Sequence, residues 1–117
     1  AWVDRGAPSP FTLAEPGPGR GTLMADILRA TRAVPGFHAA ARVTLVEASP
    51  RMRERQEATL AGFAPVWVDR IEDLPDAPLF LIGNEFLDAL PIRQFLRGPE
   101  GWQERLIGLR DNRLAFG

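Results

Sequence analysis

A chain of 117 residues with 14 basic and 15 acidic side chains and 45% hydrophobic residues is the size and balance of one globular domain, and no basic excess points to nucleic acid. It holds no Cys, no Tyr and no Lys, so every basic residue is Arg; disulfides, thiolate catalysis, Schiff-base chemistry, a P-loop and the Tyr/Lys pair of short-chain dehydrogenases are all excluded. A single His rules out a multi-His zinc site, the longest apolar run (Leu79–Gly83) is too short for a bilayer, and Ala1–Phe11 lacks the charged-then-apolar pattern of a leader.

Phe11–Glu15 reads as the first strand. The turn Glu15-Pro16-Gly17-Pro18-Gly19-Arg20-Gly21 follows, and Thr22–Arg32 reads as a helix with an apolar stripe at Leu23, Ile27, Leu28 and Val34. Thr22 is placed to cap that helix, Ala25 leaves it without a capping box, and Pro35-Gly36 ends it. Strand, glycine turn and helix start bring main-chain N–H groups and a positive dipole end to one point, which suits a nucleotide-like ligand. The glycines fall at 17, 19 and 21, whereas the dinucleotide fingerprint wants its third glycine at 22, here Thr. With an acid before it, the tighter spacing is the pattern associated with S-adenosylmethionine. Glu15 would attract the cofactor's amino group while the backbone at Gly17, Gly19 and Gly21 closes around its tail. A glycine- and proline-rich turn without a ligand is the plainer reading of the same residues.

His38 lies in a loop bounded by Pro35-Gly36 and is expected to be exposed. Arg42–Glu47 reads as the second strand. Ser49 as N-cap and Pro50 at the first helical position open a mostly polar helix to about Leu60, anchored by Met52, Leu60 and Phe63. Pro65–Val68 is a third strand, and Leu79–Gly83 a fourth, continuously apolar as a strand buried on both faces should be. Strands alternating with helices over short links predict an α/β fold with an open parallel sheet. After Pro91 the pattern shortens to Ile92–Arg97, Trp102–Leu109 and Arg113–Phe116, which reads as an antiparallel meander. The expected division is a cofactor-binding half over 1–91 and a β insertion over 92–117. Both ends look cut from a longer polypeptide, and an unpaired fourth strand would leave an edge prone to self-association.

Three further places carry chemistry. Glu47 ends the second strand 26 residues after Gly21, where an acid that accepts hydrogen bonds from two ribose hydroxyls is expected. Its plainer reading is a solvated strand-end acid, or one assisting the helix after Ser49. Asp69 follows the third strand and could accept from an adenine amine, or be a simple loop acid; Trp67 and Phe63 read as core. Asn84, Glu85 and Asp88 follow the fourth strand, at the sheet edge where ligands of open α/β sheets bind. They could hold a nitrogen nucleophile in line with a methyl group, or serve as turn and cap residues.

The Glu15–Gly21 turn running into Thr22-Leu23-Met24, the junction Leu45-Val46-Glu47-Ala48-Ser49-Pro50, and Asn84-Glu85-Phe86-Leu87-Asp88-Ala89-Leu90-Pro91 followed by Gly101-Trp102-Gln103-Glu104-Arg105 together resemble the MidA-like family of class I S-adenosylmethionine-dependent methyltransferases. That family includes a mitochondrial complex I assembly factor that methylates protein arginine. The resemblance covers nearly the whole chain and is most specific at Asn84–Pro91. It implies the first half of a Rossmann-like sheet, S-adenosylmethionine as cofactor, and a protein arginine as acceptor, with a link to respiratory-complex assembly. It also implies a bacterial cytoplasmic or mitochondrial matrix location, with neither nucleic acid nor membrane as partner. By position, Glu15, Gly17, Gly19 and Gly21 would line the methionine tail, Glu47 and Ala48 the ribose side and Asp69 the adenine. Asn84, Glu85 and Asp88 would border the acceptor, and no metal is implied. Pro16 departs from the branched aliphatic residue expected there and removes an N–H beside the cofactor. The rival readings are a non-catalytic assembly module and, disfavoured by the glycine register, an NAD(P)-dependent oxidoreductase.

Overall fold

A computed structural model describes residues 1–117, which form two compact units, Ala1–Leu87 and Asp88–Gly117. In the first, strands β1 (Phe11–Pro16), β2 (Ala41–Val46), β3 (Val66–Val68) and β4 (Leu79–Leu81) make a parallel sheet in the order β3-β2-β1-β4. β1 pairs with β2 along its whole length, from Phe11 opposite Ala41 to Pro16 opposite Val46, and with β4 over Thr12–Ala14. Flanked on both sides, β1 has all six residues buried. An acid at position 15 is therefore carried inside the protein by the strand it sits on.

Helices α1 (Thr22–Ala30), α2 (Phe37–Ala40) and α3 (Pro50–Thr59) link the strands. The cap of α1 is Gly21 rather than the expected Thr22, which is instead the first helical residue. Gly21 holds φ 83°, a left-handed conformation that side chains with a Cβ resist, and a Cβ there would touch α3 at 3.6 Å. This start fixes the phase of the helix. Its buried face is Met24, Ala25 and Leu28, one step round from the expected stripe, and Leu23 is left half-buried. The helix also stops early: Thr31–Ala33 tightens into a 3₁₀ turn, with the Thr31 hydroxyl donating to the Ile27 carbonyl at 2.8 Å.

His38 corrects another expectation. It sits on α2, half-buried, with Nε2 3.0 Å from the Thr31 hydroxyl and its ring edge-on to Phe63. An aromatic cluster stands beside it. Trp2 packs on Phe11 and Phe37 at centroid distances of 5.8 and 5.4 Å, and Phe11 packs on Phe80 at 5.4 Å.

α3 begins as its sequence predicts. Ser49 is the N-cap, its hydroxyl accepting the Met52 N–H at 3.4 Å, and Pro50 holds the first helical position. Because that bond satisfies one otherwise orphaned donor, Ser49→Ala should cost about 0.5–1 kcal/mol. Thermal unfolding followed by circular dichroism would show this as a drop of a few degrees; an unchanged Tm would mean water caps the helix equally well.

β4 is shorter and more open than expected. It pairs only with β1, and Leu79 and Leu81 are 45% and 46% exposed, so it is an edge strand with one apolar face outward rather than a strand buried on both sides. Phe80 and Ile82 supply its inward contacts with the core.

The second unit is antiparallel, as the sequence predicts, but it is two hairpins rather than one meander. β5 (Gln94–Gly98) pairs with β6 (Gly101–Arg105), and β7 (Ile107–Arg110) with β8 (Arg113–Phe116). The expected strand Trp102–Leu109 is broken at Leu106, whose N–H and C=O both bond to Gly117 and so belong to the second hairpin. Asp111 and Asn112, at φ 50° and 61°, supply the left-handed pair that a two-residue hairpin turn requires. No helix is long and apolar enough to cross a membrane.

Candidate functional site

The chain leaves β1 toward β2 on one side, while β4 lies on the other. Strand order therefore reverses between β1 and β4, and in open α/β sheets the crevice at the carboxyl ends of such strands is the ligand site. A cleft of about 460 Å³ opens there, lined by Glu15, Gly17–Arg20, Thr22, Leu23, Asp26 and Asn84. A larger groove of about 850 Å³ runs along β4 past Trp2 and Phe37, but it offers no carboxylate or side-chain amide and so no comparable chemistry.

Glu15 dominates the cleft. It is one of the lining residues although only 3% exposed, and its Oε2 is buried without a hydrogen-bond partner. Burial pushes its pKa up from 4.5 to about 7, while the Met24 N–H pulls the other way. Met24 is the third residue of α1, so its N–H is one of the first-turn donors that find no acceptor within the helix. The carboxyl group thus sits at the positive end of α1 with half of its bonding capacity unused.

The turn after β1 is drawn tight by its glycines. The Gly17 N–H donates to the Val46 carbonyl at 3.1 Å, and Gly17 has φ 59°. A Cβ on Gly17 would come within 2.8 Å of Phe86 Cδ2, so only glycine lets the segments after β1 and β4 approach this closely.

Glu47 stands immediately beyond β2, half-buried. Its Oε2 accepts the Ser49 N–H at 3.3 Å and its Oε1 accepts from the Gln56 amide at 3.1 Å. Arg53 ties this corner to the next: its Nε donates to the Glu47 carbonyl at 2.6 Å, and its terminal nitrogen to Asp69 Oδ1 at 2.6 Å. Asp69 is largely exposed and Ala48 is exposed.

Of the residues singled out after the fourth strand, Asn84 lines the cleft. Glu85 beside it is exposed and holds φ 55°, a backbone conformation uncommon for this residue type and concentrated at functional sites. Asp88 is exposed in a 3₁₀ turn, Leu87–Ala89, and opens the second unit. The structure therefore brings Glu15, the glycine turn and Asn84 together around one cleft, and joins Glu47 to the same turn through Gln56.

Gln56 is the residue that sequence reasoning passed over. It is 0% exposed, on a helix that reads as mostly polar, yet it stands four residues from each of the anchors Met52 and Leu60 and shares their face. That spacing was the available signal.

The family model described as "Putative S-adenosyl-L-methionine-dependent methyltransferase" matches residues 1–116. The chain belongs to this methyltransferase family. Among curated relatives, the mitochondrial protein arginine methyltransferase NDUFAF7 of Danio rerio is 32% identical over 92% of this chain and 31% of its own length. The Caenorhabditis elegans homologue is 35% identical over 91% and 29%. A solved Burkholderia thailandensis structure bound to S-adenosyl-homocysteine superposes with a TM-score of 0.61 at 27% identity, covering 98% of this chain and 30% of that one. A native structure from the same organism gives 0.59 at 29% identity, over 91% of this chain and 29% of that one. The chain thus spans about 30% of the length of the relatives it matches.

Proposed function

We propose that this chain carries the S-adenosylmethionine site of a methyltransferase whose acceptor is an arginine side chain of a protein. The observation that carries the reading is the buried carboxyl of Glu15, which has an unpartnered oxygen and belongs to a residue lining the cleft formed by the glycine turn. An unpartnered carboxyl oxygen at 3% exposure is costly unless a ligand completes it, and the amino group of an aminoacyl tail would do so. Gly17, Gly19 and Gly21 would admit that tail against the backbone. Glu47, already fixed by two donors, keeps acceptor capacity for the ribose hydroxyls, with Ala48 beside it, and Asp69 would border the adenine. When bound, the cofactor supplies an electrophilic methyl group on a sulfonium.

The acceptor side falls to Asn84, Glu85 and Asp88. Guanidinium is protonated in water, with a pKa above about 12, so transfer needs a carboxylate that orients it and receives one N–H proton as the N–C bond forms and the C–S bond breaks. Glu85 takes that role, Asp88 adds negative charge and Asn84 positions. That the mitochondrial relatives are named protein arginine methyltransferases supports this acceptor class. The resemblance adds a respiratory-complex subunit as the partner and the bacterial cytoplasm or mitochondrial matrix as the place of action.

Calorimetric titration with S-adenosylmethionine, alongside NADH, tests the reading: saturable one-to-one heat with the first alone supports it. No heat with either favours the non-catalytic assembly module. With transfer to an arginine peptide followed by labelled methyl, Glu85→Gln should lower kcat by about 100-fold and leave cofactor affinity within about two-fold. Collapse of affinity instead would move Glu85 into the cofactor pocket.

A further inference from the structure

Gln56 has a connectivity that neither packing nor helix formation requires. It is the one buried residue of α3, and its amide spends each strong bond on a different segment of the chain. Nε2 donates to the Gly19 carbonyl at 2.8 Å and to Glu47 Oε1 at 3.1 Å, while Oε1 accepts the Trp67 indole N–H at 2.9 Å. The orientation of the amide is not ambiguous. An indole N–H can only donate and a carbonyl or carboxylate oxygen only accept, so the flipped amide would lose all three bonds. One side chain from α3 therefore pins the turn after β1, the acid after β2 and the aromatic of β3 at once.

An apolar residue would fill this place at less desolvation cost, as Leu60 does one turn later at 0% exposure. What an apolar residue cannot do is hold the Glu47 carboxylate. Glu47 is anchored through one oxygen by Ser49 and through the other by Gln56, and without Gln56 its side chain regains rotational freedom. From this geometry we infer that Gln56 is a positioning residue for cofactor binding, aiming Glu47 at the ribose. The inference rests on the cofactor reading above and adds a residue to it.

The test is a double-mutant cycle on the full chain with S-adenosyl-homocysteine as probe, read by calorimetry. Gln56→Met keeps the volume and removes the bonds, and should weaken binding about 10-fold. Glu47→Ala should weaken it further, and adding Gln56→Met to Glu47→Ala should cost less than about two-fold more, because the second residue acts through the first. Adenosine should show the Gln56→Met loss and methionine should not, a split that a general loosening of the fold would not produce. Additive losses, equal losses for both fragments, or unchanged affinity in a folded Gln56→Met chain would overturn the inference. Gln56→Glu, which keeps the shape and the Trp67 bond but turns an acceptor toward Glu47, should lose at least as much as Gln56→Met. If both variants lose their folded circular dichroism, the amide holds the fold rather than aims the acid, and the inference fails. Absence of saturable heat with the unsubstituted chain overturns the cofactor reading itself, a result distinct from additivity, which overturns only the role of Gln56.

Discussion

Glu15→Gln should stabilise the ligand-free chain at pH 8 by on the order of 3 kcal/mol and, at the same pH, weaken S-adenosylmethionine by about 100-fold. The two effects have one origin. Burial raises the Glu15 pKa from 4.5 to about 7, so between those values the folded chain holds a proton that the unfolded chain has released. Stability therefore falls as pH rises through that window, and the full penalty, about 3 kcal/mol, stands above it. Below pH 4.5 both states are protonated and the penalty is gone. A glutamine keeps the shape, still offers an oxygen to the Met24 N–H and carries no charge to desolvate. Urea unfolding at pH 4 and pH 8 reads the difference: the variant should match the parent at the lower pH and exceed it at the higher. The cofactor's ammonium, however, needs the charge that glutamine lacks, and a charge-assisted bond in a nearly dry site is worth more than its neutral counterpart. Equal stabilisation at both pH values, or undiminished affinity, would show that the carboxyl is not held for a cationic ligand.

Such a trade marks a functional site, where local rules are broken for a gain that appears only with ligand. It also explains which parts of the chain could be read from sequence. Strand–helix alternation and the Ser49-Pro50 helix start are local, and the four parallel strands, α1 and α3 stand within a residue or two of their expected places. The glycine turn was legible because its backbone demands are written in residue type. What escaped depended on neighbours distant in sequence. The exposure of Leu79 and Leu81 depends on what packs over that face of β4, which an apolar run cannot announce. The phase of α1 follows from Gly21 lying against α3, and the half-burial of His38 from Thr31 and Phe63. Gln56 was hidden because polarity normally signals exposure, and only three simultaneous partners from separate segments make its burial affordable.

Glu47→Ala carries the second large effect. Two ribose hydroxyls donating to a carboxylate each form a charge-assisted bond, and losing the acceptor leaves both to water, a change of about 3 kcal/mol or about 100-fold in affinity for S-adenosyl-homocysteine. The loss should be local to the sugar. Adenosine should weaken as much as the whole cofactor, while methionine, whose contacts would lie with Glu15 and the glycine turn, should bind as before. The fold should pay little, since the Ser49 N–H released by the substitution stands at a half-buried helix start that water can reach, and the Ser49 hydroxyl still caps Met52. Only the Gln56 amide is left short of an acceptor, and it keeps the Gly19 carbonyl. Competition of each fragment against a fluorescent cofactor analogue separates the outcomes. If methionine weakens together with adenosine, Glu47 is holding the corner between β2 and α3 rather than a sugar. If neither weakens, the carboxylate faces solvent and the ribose must find its acceptor elsewhere along the rim.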